Sequence, residues 1–199
     1  MTNAFTLRKN LVERGCIFQS TSDTETFVHL IAISLYSTVL DRMIDALKQV
    51  QGAYSLVALT ENALIGVRDP LGVRPLVLGR IDNAQILCSE TCALDIIGAE
   101  YVRDIDPGEI VVISDDGIRS TRPFTKQEKR FCIFEFIYFA RPDSIIDEKL
   151  VYEARVAMGI ELAKEHPVEA DMVVGVTDSA SPAASGYAQQ SGIPYGDAL

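Results

Sequence analysis

The sequence contains no tryptophan, two histidines and four cysteines in 199 residues. The cysteines (Cys16, Cys88, Cys92 and Cys132) are sparse and irregularly spaced, which argues against a disulfide framework. Cys88 and Cys92 have a spacing a metal can use, but no second pair completes a zinc site, and His29 and His166 lie far away in sequence. Inert buried thiols are the simpler reading. Long apolar runs are also missing. None approaches the about 20 residues needed to cross a bilayer, and "MTNAFTLRKN" has no apolar signal core. A cytoplasmic protein without a membrane partner is therefore expected. Basic residues are in deficit: 18 Lys and Arg against 28 Asp and Glu give a net charge of −10. That excludes the phosphate backbone of a nucleic acid as a partner, since such binding needs clustered cations. A small phosphorylated ligand, held by a few local groups, stays open.

What is present is an ordinary globular composition, 48% hydrophobic and 23% charged. Residues 3–14 predict a helix closed by Gly15, which suits a left-handed position after the last turn. "CIFQ" predicts a short strand. Ser22 and Glu25 have capping-box spacing at the start of a second helix with Phe27, Leu30, Ile31 and Leu35 on one face. Residues 38–50 repeat the helical period. From Gly52 the period becomes two. "AYSLVALTENALIGVRD", "RPLVLGR" and "AQILCSE" read as strands, and "TCALDII" as a short helix stopped by Gly98. Asp-Pro-Gly and Asp-Asp-Gly mark turns in "EYVRDIDPGEIVVISDDGIRS". Helices followed by a strand-rich block indicate α+β layering. "TRPFTKQEKR" is a polar linker. Beyond it "FCIFEFIYF" reads as a strand, 149–165 as a helix, "DMVVGV" as a strand and 182–191 as a helix. That alternation implies a parallel sheet with crossovers.

Several residues are candidates for chemistry. "VTDSAS" joins the end of an apolar strand to a helix start, where open α/β sheets bind ligands and where free N–H groups favour an anion. Asp178 and Ser179 add oxygens suited to a hydroxyl or a hydrated Mg²⁺. The alternative is that Ser181 caps the helix and Asp178 makes a turn. Asp23 opens a helix, where it either pairs with a substrate ammonium or complements the helix dipole. Arg68, Asp69 and Arg74 suggest a structural ion pair at a strand end. Glu135, in an apolar strand, is expected at an interdomain surface, since an unpaired buried carboxylate is costly.

Taken in order, "IFQSTSDTE", "GAYSLVAL", "GVRDPLGVRPLVLG", "SETCALDIIGAEYVRDIDPGEIVVI", "CIFEFIYFARPDS" and "VVGVTDSASPAASGYAQQSGIPYG" resemble the amidophosphoribosyltransferase family across essentially the whole chain. The resemblance implies an α+β N-terminal-nucleophile (αββα) glutaminase domain over 1–122, a linker at 123–130, and the start of an α/β phosphoribosyltransferase domain over 131–199. The activity implied is the first committed step of purine synthesis. A cysteine thiolate releases ammonia from glutamine, and the ammonia displaces pyrophosphate from phosphoribosyl pyrophosphate to give phosphoribosylamine. By resemblance Asp23 holds the glutamine α-amino group. Asp178, Ser179, Ala180 and Ser181 form the loop for phosphoribosyl pyrophosphate, and Ser179 matches a position associated with Mg²⁺. Cys132 matches the first of four ligands of a [4Fe–4S] cluster found in some members. A homo-oligomer is implied as well.

The family's nucleophilic cysteine, glutamine-binding arginine and oxyanion Asn-Gly match nothing here, nor does its later pair of adjacent aspartates. The chain therefore reads as the middle of a longer enzyme, inactive alone, with Thr2 or Asn3 as a helix cap and not as a nucleophile. Thr177 stands where a proline is usual, Leu71 where a histidine is common, and Ala180 where a glycine lets backbone approach the diphosphate. Two other readings are a non-catalytic or split-enzyme subunit and a different amidotransferase such as the glucosamine-phosphate synthase class.

Overall fold

The computed structural model describes residues 1–197. The chain divides into two compact units: Met1–Arg74 with Ile105–Arg130, and Pro75–Asp104 with the residues from Phe131 onward.

In the first unit three helices, α1 (Ala4–Glu13), α2 (Asp23–Ile33) and α3 (Val39–Leu47), accompany an antiparallel sheet. Its strands are β1 (Ser55–Leu59), β2 (Leu64–Arg68), β6 (Ile110–Ser114) and β7 (Gly117–Thr121), in the order β1-β2-β6-β7. Leu11, Phe27, Leu30, Met43, Leu47 and Val67 are among the residues that form its core. The β2 strand is buried along nearly its whole length. At its end Asp69, wholly buried, accepts from the N–H groups of Leu71 and Val73. Arg68, also buried, donates to the carbonyls of Gly72, Arg74 and Ile105. Arg68 and Asp69 are thus both satisfied by backbone dipoles, which costs less than leaving either without a partner.

The expected strand at "CIFQ" does not form. The Cys16 N–H goes to the Leu11 carbonyl and the Gln19 N–H to the Glu25 carboxylate, which takes the donors at both ends of the segment away from a ladder. The α2 helix ends at Ile33. Ser34 turns extended and its hydroxyl donates to Asp45, which leaves Leu35 fully exposed instead of on the apolar face.

In the second unit β3 (Val77–Ile81) lies between β4 (Ala84–Cys88) and β5 (Glu100–Asp104). The helix α4 (Thr91–Ile97) ends at Gly98, whose φ of 68° fits the left-handed stop expected there. Gly79 is required by contact: a Cβ on it would lie 2.3 Å from a methyl of Leu94.

"FCIFEFIYF" is not a strand. Glu135–Phe139 forms a π-helical turn. The buried Arg155 holds it, donating to the carbonyls of Phe136 (2.6 Å) and Ala140 (2.7 Å). Aromatic and β-branched content suggested a strand, but here the guanidinium's fixed donors decide the backbone geometry. Glu135 is buried. A small hairpin follows, β8 (Ile145–Ile146) and β9 (Lys149–Leu150), turning through Asp147 and Glu148 with positive φ at both.

Two helices then pair, α5 (Val151–Glu165) and α6 (Ser181–Ser191). A Cβ on Gly159 would lie 1.9 Å from the Ala183 carbonyl oxygen, and one on Gly186 would lie 2.1 Å from that of Val156. The helices meet backbone to backbone through these two glycines. Between them, "DMVVGV" forms only one parallel bridge, Val173 to Tyr195. The direction matches the strand–helix–strand pattern, but among the described residues no parallel sheet forms.

Candidate functional site

The first candidate lies in a cleft of about 180 Å³ in the first unit, lined by Asp23, Thr24, Phe27, Tyr54 and Ser55 among others. Asp23 is the first residue of α2, with Ser22 as N-cap accepting from the Thr24 N–H at 3.2 Å. The helix dipole favours the ionised carboxylate there. The Asp23 side chain is about half exposed, and its Oδ2 accepts from the α-ammonium of Met1 at 3.0 Å. Tyr54 is buried beside it, and that burial, with Asp69 adding to it, pushes its phenol pKa up, so the ring stays neutral.

Asn3 occupies the N-cap position of α1, but its side chain makes no cap bond. It donates to the Gln49 carbonyl at 2.8 Å and accepts from the Gln51 N–H at 2.9 Å. Thr2 donates its N–H to the Gln51 carbonyl. Both residues anchor the amino-terminal segment, as a structural role requires. Among the described residues the lining of the Asp23 cleft contains no cysteine.

Glu25 was expected to close a capping box with Ser22. It reaches further back. Its Oε1 accepts from the Gln19 N–H, and its Oε2 from both the N–H and the hydroxyl of Ser20, each at 2.7 Å. These bonds hold its pKa down at about 2, the Gln19 N–H contributing most. The S-x-x-E spacing signals an acid at the helix start, but not which N–H groups it takes.

The second candidate is the turn before α6, in the second unit. Asp178, Ser179, Ala180 and Ser181 lie together there. The Ala180 N–H donates to the Thr177 carbonyl at 2.9 Å, closing the turn. Thr177 and Ser179 share a hydroxyl–hydroxyl bond of 2.9 Å, and the Ser181 hydroxyl contacts the Thr177 carbonyl at 3.4 Å. Asp178 is exposed. A Cβ on Gly175 would meet the backbone of Ser181 at 3.0 Å, so the preceding chain presses close to the helix start. The first N–H groups of a helix have no carbonyl within it, which leaves them for a ligand. Ser181 opens the helix and Ala180 takes the N-cap position without a side-chain bond.

Cys132 is partly exposed, and among the described residues no group of three or more His, Cys, Asp or Glu is placed to hold a metal. Cys88 donates to the Glu90 carbonyl at 3.3 Å. Burial pushes both the Cys88 and Cys92 thiols up, as expected for inert core groups. Sequence reasoning missed Glu90. Its Oε2 accepts from the Arg141 N–H (2.8 Å) and the Ser144 hydroxyl (2.9 Å), while Thr91 Oγ1 accepts from the Ile145 N–H (2.8 Å). These bonds pin "RPDS" to the start of α4. No local pattern could reveal a partner more than fifty residues away.

A model of the glutamine amidotransferase domain matches residues 1–95. The amidophosphoribosyltransferase of Rhizobium etli is 52% identical over 199 residues, covering 98% of this chain and 40% of its own length. A chloroplastic amidophosphoribosyltransferase of Arabidopsis thaliana is 50% identical over 200 residues, covering 100% of this chain and 35% of its own. Among solved structures, glutamine phosphoribosylpyrophosphate amidotransferase from B. subtilis, complexed with ADP and GMP, superposes with a TM-score of 0.91 at 45% identity. It covers 98% of this chain and 43% of that one. The glutamine amidotransferase part has an N-terminal-nucleophile type of fold. The chain is homologous to amidophosphoribosyltransferases along its whole length and spans about 40% of theirs.

Proposed function

We propose, from this homology, that the chain carries the amino-acid recognition side of a glutamine-dependent amidophosphoribosyltransferase together with the opening of its phosphoribosyltransferase domain. In this reading glutamine-derived ammonia displaces pyrophosphate from phosphoribosyl pyrophosphate, giving phosphoribosylamine. The observation that carries the reading is the place of Asp23, the first residue of α2, whose half-exposed carboxylate lines a cleft of about 180 Å³. The relatives' match also runs through the turn at 177–181, which supports a phosphoribosyl function over the sugar-isomerase alternative.

The division of labour follows from the side chains. Asp23 neutralises and orients the α-ammonium of glutamine through a charge-assisted hydrogen bond. The thiolate that attacks the amide is not supplied by the residues lining this cleft. The turn from Thr177 to Ser181 offers hydroxyls and the start of α6 to the diphosphate. Mg²⁺ fits this donor set in a limited way. Asp178 and Ser179 supply hard oxygen ligands, too few to retain the ion alone, so it would enter with the diphosphate and neutralise its charge. Among the described residues Cys132 has no set of thiolates around it, so these residues alone do not fit a [4Fe–4S] cluster.

Two measurements test the reading. L-Glutamine titrated into the chain and followed by NMR should perturb the α2 start, and Asp23→Asn should abolish the effect. Assays for glutaminase activity and for phosphoribosylamine formation should both be blank, and turnover in either would contradict the assignment of the thiolate elsewhere.

A further inference from the structure

We infer that Glu25 is a positioning residue for amino-acid recognition, acting on Asp23 through the loop that precedes both. The inference rests on the reading of Asp23 as the ammonium-binding group.

Residues 16–22 have no regular secondary structure, yet this segment must deliver Asp23 to the cleft. A continuous series of hydrogen bonds holds it. The Glu25 carboxylate takes the Gln19 N–H, the Ser20 N–H and the Ser20 hydroxyl. The Ser20 oxygen accepts in turn from the Ser22 N–H at 3.2 Å, and the Ser22 oxygen from the Thr24 N–H at 3.2 Å. Both neighbours of Asp23 are thereby fixed, and Asp23 itself is left out of the series. Its carboxylate lines the cleft. A second layer supports the arrangement. The Phe18 ring stacks on His29 with centroids 4.4 Å apart, and the Arg8 guanidinium lies 4.1 Å over the same ring. Without Glu25 three donors at the surface return to water, and the φ and ψ of Ser22 lose their restraint. A displacement of about 1 Å at a recognition group is enough to lose most of its effect.

The test separates a positioning role from a general loss of stability. L-Glutamine and glutaramate, which differ only in the α-ammonium, are titrated by NMR into the unaltered chain and four variants: Asp23→Asn, Glu25→Gln, Ser20→Ala and Thr38→Ala. Thr38 caps α3 in the same unit, accepting from the Asp41 N–H, and does not touch the loop. The unaltered chain should prefer glutamine by roughly tenfold or more, the range of a charge-assisted hydrogen bond. Asp23→Asn should remove that preference. Glu25→Gln and Ser20→Ala should each reduce it severalfold, while Thr38→Ala lowers the melting temperature and leaves the preference intact. If Asp23→Asn removes the preference but both Glu25→Gln and Ser20→Ala keep it, the positioning role is refuted and the Asp23 reading survives. If the unaltered chain shows no preference, both fall together.

Discussion

Substituting Gly159 by alanine should destabilise the second unit, against the usual expectation for glycine in a helix. In an open helix the change is favourable by about 1 kcal/mol, because alanine loses less backbone entropy. Here the new methyl would sit 1.9 Å from the Ala183 carbonyl oxygen, 2.7 Å from its carbon and 2.9 Å from the Tyr187 nitrogen. All three are backbone atoms of α6, so no side-chain rotation relieves the contact, and the helices must separate. Overpacking of this kind costs about 1–3 kcal/mol and more when backbone moves. The net destabilisation is about 2 kcal/mol, or a fall of roughly 4–8 °C in melting temperature for a chain of this size. Calorimetry on the unaltered chain and the variant measures it. Gly98→Ala is the reference: its methyl meets nothing within 4 Å and pays only for a φ of 68°, about 1 kcal/mol. A Gly159→Ala chain that melts at or above the parent temperature would refute the close helix contact. The consequence reaches the ligand turn, because α6 begins at Ser181 and its separation from α5 moves the helix start.

Glu25 gives a prediction in pH. Its pKa is lowered from the ordinary 4.5 to about 2, so its contribution to stability is complete above about pH 4.5 and is lost as pH falls through 2. The groups facing it are His29, 3.9 Å away, and Arg8. Acid unfolding of Glu25→Gln followed by circular dichroism should show a flatter dependence across that interval, and an unchanged curve would contradict the assignment. Glu90→Ala removes the acceptor from the fully buried Ser144 hydroxyl and the Arg141 N–H, and should cost about 1–3 kcal/mol in urea unfolding. Arg155→Met leaves the buried carbonyls of Phe136 and Ala140 without these donors, so hydrogen exchange at the Ala140 N–H, which closes the π turn on Glu135, should accelerate at least tenfold.

The parts of the fold legible in the sequence were those set by local periodicity and punctuation. The strands flanking Glu61-Asn62 pair antiparallel, with Leu59 opposite Leu64. Gly15, Gly98 and Gly192 take positive φ where helices stop. What misled was composition without context. Phe134, Phe136, Ile137 and Phe139 carry strong strand propensity, but Arg155, later in the chain, takes the carbonyls of Phe136 and Ala140 and holds the segment in a turn. Asp69 and Arg68 suggested an ion pair because opposite charges sit side by side in sequence. Burial instead directs each toward backbone, where fixed dipoles need no side-chain ordering. The candidate sites follow the same division. Asp23 and the turn at 177–181 were visible because each is a short polar run opening a helix. Glu25's partners and Glu90's were not, since they depend on which backbone groups the fold leaves unpaired.

The two sites use one structural device to opposite effect. At α6 the helix start is bare of acidic residues in its first turn, which suits the anion proposed for it. At α2 the first turn carries Asp23 and Glu25, two acids at the positive end of the helix. The loop takes up Glu25, and Asp23 stays outside its hydrogen bonds. On the proposed reading, the sign of the ligand follows whether an acid occupies the first helical position. Exchanging Asp23 for serine should turn the α2 start from an ammonium site into a weak anion site. Chloride or inorganic phosphate titrated by NMR should then shift the Thr24 amide in the variant, while the unaltered chain stays silent. Equal silence in both would mean that the loop geometry, and not the acid, sets the preference.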